Sequence, residues 1–144
     1  MKIRVLLVDD EEQYADALAE RFQARGLDAA TAYSGDEALA RLQDGEFDVV
    51  ILDMVMPGKD GIETLNEIKQ LRPLVEVILL TGFATLDTAV SSLQRGAFYY
   101  LMKPADMRDL LQSILNAYKR KAEHEERIRQ AEIKRLTVML AGEM

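Results

Sequence analysis

Five polar side chains directly follow short apolar runs in this sequence of 144 residues, and their types point to chemistry on oxygen ligands. Asp9 and Asp10 follow IRVLLV, Asp53 follows VVIL, Thr81 follows VEVILL, and Lys103 follows FYYLM. Three carboxylates suit a hard divalent cation such as Mg²⁺, which prefers oxygen ligands and tolerates a phosphoryl group in its coordination shell. A carboxylate can also act as a covalent nucleophile. The residue types therefore predict a Mg²⁺-dependent phosphoryl or anion site.

The composition excludes several other kinds of site. The chain has no cysteine, which removes disulfides and thiolate metal sites, and its single histidine, His124, excludes a multi-histidine metal site within one chain. Acidic side chains outnumber basic ones by 25 to 18, an excess that argues against direct binding to nucleic acid. The apolar run that ends before Asp9 is too short for a signal peptide or a membrane span, so we expect a cytoplasmic protein.

Five apolar segments of strand length alternate with stretches of helical periodicity. The predicted strands cover residues 3–8, 27–32, 49–52, 75–80 and 98–101. Between them, apolar residues recur at the spacing of one helix face, as at Tyr14, Leu18 and Phe22. The pattern predicts five βα units in an open, doubly wound parallel α/β sheet. Ligands bind at the carboxyl edge of such a sheet, where the carboxylates converge if strand one lies beside strand three.

Turn and capping residues support these boundaries. Gly26, Gly45 and Gly96 fall where three helices are predicted to end, and Ser34 followed by Glu37 is typical of a capping box at a helix start. A second interpretation of the acidic positions stays open here, because an aspartate after a strand can simply cap the next helix or begin a turn.

The segments LLVDDEE, VVILDMVMPGKDGIE, VILLTGF and GAFYYLMKPAD resemble, in order and spacing, the CheY-like receiver domain of two-component response regulators. The segment TGFATLDTAVSSLQRGAFYYLMKP is most similar to receivers of NtrC-type transcription activators. The resemblance covers residues 1–118, which we interpret as the receiver domain. It implies a flavodoxin-like, five-stranded parallel sheet with strand order 2-1-3-4-5.

The resemblance also implies a phosphoacceptor and a metal site. It makes Asp53 the residue that receives a phosphoryl group from a histidine of a sensor kinase or phosphotransfer protein. Asp9 and Asp10 would hold Mg²⁺ together with Asp53 and the backbone carbonyl of Val55. Because Val55 and Phe83 are apolar and lie two residues past Asp53 and Thr81, we expect a comparatively long-lived aspartyl phosphate.

Four further roles follow from the same resemblance. Lys103 would pair with the acceptor carboxylate and then with the phosphoryl group, and the peptide bond before Pro104 would be cis. Thr81 would supply the switch hydroxyl, and Tyr100 the switch aromatic that turns inward when Thr81 moves.

The predicted function is a phosphorylation switch that changes a protein contact. The resemblance implies a domain that catalyses its own phosphorylation and dephosphorylation rather than a conventional turnover enzyme. Two alternative functions would require residues that this sequence lacks. A phosphatase of the haloacid-dehalogenase type would need a second aspartate where Val55 stands, and a flavodoxin-like nucleotide-binding module would need a glycine-rich phosphate loop after strand one.

Residues 119–144 contain neither glycine nor proline before Gly142 and should continue the last helix as an extension or linker. A partial apolar stripe at Ile128, Ile133, Leu136 and Leu140 leaves open a short dimerisation helix. A homodimer through the face of helix four, strand five and helix five, and an output domain outside this sequence, are further partners to consider. We expect no direct nucleic-acid or membrane contact.

Overall fold

The computed structural model describes residues 2–82 and 85–142. Five parallel strands form one sheet in the order β2-β1-β3-β4-β5. The strands are β1 Arg4–Val8, β2 Asp28–Ala32, β3 Val49–Leu52, β4 Glu76–Thr81 and β5 Tyr99–Met102. The helices are α1 Glu12–Ala24, α2 Gly35–Asp44, α3 Gly61–Leu71, α4 Leu86–Gln94 and α5 Met107–Gly142. This is the predicted flavodoxin-like α/β fold with its strand order.

The three central strands are buried on both faces because helices cover each side of the sheet. Alternate residues of β1, β3 and β4 pack towards α2 and α3, where Leu42, Leu65 and Ile68 complete one half of the core. The remaining residues pack towards α1 and α5, where Phe22 and Ile114 lie fully buried in the other half. The nearly unbroken apolar runs of the sequence are explained by this double coverage.

The helix boundaries follow the predicted caps with one difference. Gly26 and Gly96 adopt positive φ angles just past α1 and α4, as expected of glycine at a helix end. Ser34 Oγ accepts a hydrogen bond from the Glu37 amide, but the Glu37 carboxylate accepts from the Tyr33 amide and not from that of Ser34. In the capping box at α2, the reciprocal hydrogen bond to the Glu37 side chain therefore comes from the amide of Tyr33, one residue before the predicted donor.

Helix α4 exposes apolar side chains. Leu86, Val90 and Leu93, which recur at helical spacing in the sequence, are exposed, and Ser92 is the buried residue of the helix. The helix thus presents an apolar surface to solvent, and edge strand β5 also exposes Tyr99 and Met102.

Helix α5 continues without interruption through the segment that follows residue 118, and its distal half is exposed. Ion pairs one turn apart line it, including Lys121 with Glu125 and Glu126 with Arg129. Across residues 2–82 and 85–142, no helix combines the length and apolar character that a bilayer crossing requires.

Candidate functional site

Backbone hydrogen bonds carry the sheet one residue past the ends of three strands. The Asp9 amide donates to the Ala32 carbonyl at 3.1 Å, the Asp53 amide to the Val8 carbonyl at 2.9 Å, and the Lys103 amide to the Thr81 carbonyl at 2.9 Å. These bonds fix the backbone of Asp9, Asp53 and Lys103 at the carboxyl edge. The strand alternation directs all three side chains to the side of the sheet covered by α1 and α5.

Three carboxylates meet at this edge. Each of Asp9, Asp10 and Asp53 offers an oxygen within 4.8 Å of the oxygens of the other two. Asp9 and Asp53 are only 5% and 6% exposed, whereas Asp10 faces solvent. Burial raises the pKa of Asp9 above its ordinary value, and the hydrogen bonds that it accepts from Lys103 and from the Glu11 amide offset part of this increase.

Lys103 extends its ammonium group into the acidic cluster. Its Nζ lies 2.6 Å from Asp9 Oδ2, 3.4 Å from Glu11 Oε1 and 3.5 Å from Asp53 Oδ2. Burial alone would lower the pKa of Lys103, but its hydrogen bond to Asp9 and the charge of Asp53 outweigh burial, so the pKa is raised. The ammonium group therefore stays charged at neutral pH and is available to a negatively charged ligand.

The donor set of the cluster fits a hard divalent cation. All three side chains contribute carboxylate oxygens, and the exposed Asp10 leaves the cluster open to solvent. Mg²⁺ prefers such a site, because it binds through one or two carboxylates and keeps the rest of its shell for water or phosphoryl oxygens.

The loop after Asp53 is held close to the end of β3. Asp53 Oδ1 accepts a hydrogen bond from the Val55 amide at 3.3 Å, and the Gly61 amide donates to the Met54 carbonyl at 2.9 Å. A side chain at Gly61 would overlap the Met54 backbone, so glycine allows α3 to start directly against the segment that follows Asp53. Val55 has an exposed side chain beside the cluster.

Thr81 stands at the carboxyl edge of the sheet, at the end of β4, and Tyr100 lies in the neighbouring strand β5. Thr81 ends β4 and is buried, and strand register pairs it with Met102 and pairs Leu79 with Tyr100. Tyr100 packs on the core half formed with α2 and α3, and its hydroxyl oxygen is buried without a hydrogen-bond partner among the described residues. Phe83, which follows Thr81 by two positions, lies outside the described residues. The Lys103–Pro104 peptide bond is cis.

Three residues that sequence reasoning gave no role contact this site. Glu11 and Tyr14 both contact Lys103, and Gly61 sets the distance between α3 and the loop after Asp53. Gly61 stands inside a quoted motif, and Tyr14 belongs to the apolar face of α1, so neither position is distinguished by residue type alone.

The family assignment rests on a comparison over most of the chain. The family model described as the response regulator receiver domain matches residues 5–115. The chain belongs to this family. The receiver assignment predicted from the motifs is thereby confirmed.

This receiver is also similar in sequence to parts of longer, curated proteins. The transcriptional regulatory protein ZraR of Salmonella typhimurium is 42% identical over 114 residues, which cover 79% of this chain and 26% of ZraR. The DNA-binding transcriptional regulator NtrC of the same organism is 42% identical over 103 residues, covering 72% of this chain and 22% of NtrC. This receiver thus spans about a quarter of the length of the curated relatives that it matches.

A solved structure supports the fold of the receiver independently. The CheY-like response regulator receiver domain protein from Methanospirillum hungatei superimposes with a TM-score of 0.82 at 31% identity, covering 86% of this chain and 99% of the other. This likeness agrees with the five-stranded parallel sheet found in this chain.

Proposed function

We propose that this receiver takes a phosphoryl group on Asp53 from a histidine of a sensor kinase or phosphotransfer protein. The observation that carries this proposal is the juxtaposition at the carboxyl edge of the sheet. Asp53 is buried beside Asp9, one of its oxygens faces Lys103, and Asp10 opens the cluster to solvent. Carboxylate, ammonium and cation-binding oxygens are the groups that phosphoryl transfer to an aspartate requires.

In this reaction an Asp53 carboxylate oxygen attacks phosphorus in line. The new P–O bond forms as the P–N bond to the donor imidazole breaks, and the released imidazole nitrogen takes up a proton. Lys103 neutralises phosphoryl oxygens close to Asp53, and its raised pKa keeps it protonated throughout. Asp9, Asp10, Asp53 and the Val55 carbonyl would hold Mg²⁺, which supplies further neutralisation of phosphoryl charge when bound.

The signal is proposed to pass through Thr81 and Tyr100 to an outer surface. Thr81 would bond a phosphoryl oxygen, and Tyr100 would adjust its packing against the core in response. The affected surface comprises α4, β5 and the start of α5, and its exposed apolar residues are Leu86, Val90, Leu93, Tyr99, Met102 and Leu115.

Partners of this receiver are proposed from its surface and its relatives. The apolar surface of α4, β5 and α5 would bind an effector or a second copy, and the exposed half of α5 is an alternative contact. ZraR and NtrC are named as transcriptional regulators, so an output domain connected through α5 fits this assignment. The proposed place of action is the cytoplasm.

Phosphorylation by a small donor tests the proposal. The full chain is incubated with acetyl phosphate and Mg²⁺, and intact-mass measurement should show a gain of one phosphoryl group that is stable in acid and lost in base. Asp53→Asn should abolish the gain, whereas Asp44→Asn, a change at an exposed position of α2, should retain it. An unmodified wild-type chain, or a modified Asp53→Asn variant, would overturn the assignment.

A further inference from the structure

The aromatic ring of Tyr14 lies over the ammonium group of Lys103. The Nζ atom stands 4.5 Å from the ring centroid, within the range of a cation–π contact. Tyr14 comes from the first turns of α1, whereas Lys103 follows β5, so the contact joins two elements that are far apart in the chain. The ring also lines the small cavity that reaches Asp9 and Asp53.

The Lys103 side chain is long and flexible, so contacts at its end decide where the ammonium group lies. A lysine side chain has four rotatable bonds and about 2 kcal/mol of rotamer entropy to lose on ordering. The backbone hydrogen bond to Thr81 fixes only the base of the side chain. The position of Nζ must therefore be set by the groups that surround it.

The carboxylates alone do not define one position for Nζ. Asp9, Glu11 and Asp53 all lie within 3.5 Å of the nitrogen, and each attracts the ammonium group towards itself. Glu11 is well exposed, so it also draws Nζ towards solvent. An aromatic face attracts a cation without accepting a strong hydrogen bond, and it takes a place that water would otherwise occupy. The Lys103 side chain is accordingly only 15% exposed.

We propose that Tyr14 is a positioning residue that holds the Lys103 ammonium group between Asp9 and Asp53. The inference rests on the proposed function, because it concerns the lysine that would neutralise the incoming phosphoryl group. The aromatic ring, and not the phenol hydroxyl, holds the ammonium group in the position that speeds transfer to Asp53. A Tyr14 that serves only as an apolar contact of α1 would be replaced without loss by another apolar side chain.

Two substitutions in the full chain separate these roles. Tyr14→Phe retains the ring, and Tyr14→Leu retains apolar bulk but removes the aromatic face. Acetyl phosphate and saturating Mg²⁺ give the maximal phosphorylation rate, and the donor concentration at half-maximal rate is measured alongside it. We expect Tyr14→Leu to lower the maximal rate by about two- to fivefold, the factor that matches an ordinary cation–π contact. Tyr14→Phe should keep the wild-type rate.

A spectroscopic measurement tests the contact without any phosphorylation. The ring current of Tyr14 should shift the ε-methylene proton resonances of Lys103, and this shift should persist in Tyr14→Phe and disappear in Tyr14→Leu. A titration with Mg²⁺ alone should give similar midpoints for all three chains, since no carboxylate changes. Tyr14→Met serves as a second non-aromatic variant if the leucine variant unfolds.

The outcomes distinguish failure of this inference from failure of the proposed function. Wild-type rate and wild-type Lys103 resonances in Tyr14→Leu would overturn the positioning role, and so would equal loss in Tyr14→Phe and Tyr14→Leu. A wild-type chain that acquires no phosphoryl group would overturn the proposed function instead, while the resonance shifts would still report whether the ring holds Lys103.

Discussion

Four carboxylates and one ammonium group share the carboxyl edge of the sheet. Asp9, Asp10, Glu11 and Asp53 place more negative charge there than Lys103 can balance. Like charges at this separation repel one another, and the repulsion is stronger for the buried pair because little water screens it. In the metal-free receiver, repulsion among these carboxylates therefore lowers the stability of the folded state.

Asp10→Asn should reduce the repulsion within the cluster. The substitution removes one exposed charge from the cluster, so we expect the metal-free Tm to rise by about 2–4 °C. Mg²⁺ should raise the Tm of the wild type, because it binds the folded state, and should raise that of the variant much less. Thermal unfolding in EDTA and in excess Mg²⁺ measures both effects.

Glu20→Gln is a matched control, because it removes an exposed charge from α1 outside the cluster. Its Tm should stay near that of the wild type in both buffers. A metal-free Asp10→Asn chain no more stable than this control would show that repulsion within the cluster is negligible.

The residue types predicted which groups would meet at the edge, but not how they would pair. The sequence indicates Asp9, Asp53 and Lys103 because each follows a buried strand, and the structure brings them together. That Lys103 donates to Asp9, with Asp53 at a longer distance, depends on side-chain rotamers, which periodicity does not determine. The contact with Tyr14 requires α1 and β5 to be placed together in three dimensions.

The start of α3 packs against the segment that contains Asp53 and Met54, and Gly61 makes this possible. A Cβ there would overlap Met54 Cα and come within 2.8 Å of the Asp53 carbonyl oxygen. We expect Gly61→Ala to lower the free energy of unfolding by about 1–3 kcal/mol, because backbone must shift to relieve the overlap. Displacement of Asp53 relative to Lys103 should also slow phosphorylation by acetyl phosphate. Chemical denaturation and the phosphorylation rate test the two parts.

Gly45→Ala provides the comparison for this variant. Gly45 also borders a helix, but its φ is −139° and the nearest atom to a Cβ would be 3.6 Å away, an ordinary contact. Its stability should change by less than about 0.5 kcal/mol. Equal effects of the two alanines would mean that close packing at Gly61 contributes nothing specific.

Predictability also varied among the elements. The central strands were predicted almost to the residue, since double burial leaves a continuous apolar run. The orientation of α4 was not, because its apolar spacing has the same appearance whether the face meets the core or a partner. The return bond of the α2 capping box shifted to Tyr33 because a glutamate side chain can reach either neighbouring amide.

Ion pairs hold α5 against the amino edge of the sheet, which lies opposite the site. Glu76 is 3% exposed at the start of β4, and Arg120 Nε lies 3.3 Å from its Oε2. Lys121 Nζ lies 3.1 Å from Asp48 Oδ1, just before β3. The sequence predicts a receiver that ends at residue 118, and these contacts lead us to propose that the folded unit extends through Lys121.

Loss of the two cations should therefore destabilise the whole molecule. In the double variant Arg120→Gln with Lys121→Gln, the buried Glu76 keeps only Lys69 as an ion-pair partner among the described residues, and Asp48 loses its lysine. Because Arg120 is half exposed, we expect a loss of about 1–3 kcal/mol in the free energy of unfolding, below the cost of breaking a fully buried pair. Urea denaturation measures the loss.

The matching control removes two cations from the exposed, distal part of α5, as Arg127→Gln with Lys134→Gln. This change preserves the net charge of the first variant but leaves the contacts with the sheet intact, so its unfolding midpoint should stay near that of the wild type. Equal midpoints for the two double variants would place the end of the folded unit near residue 118 after all. Phosphorylation by acetyl phosphate should persist in both, since Glu76 and Thr81 stand at opposite ends of β4 and the acidic cluster is unchanged.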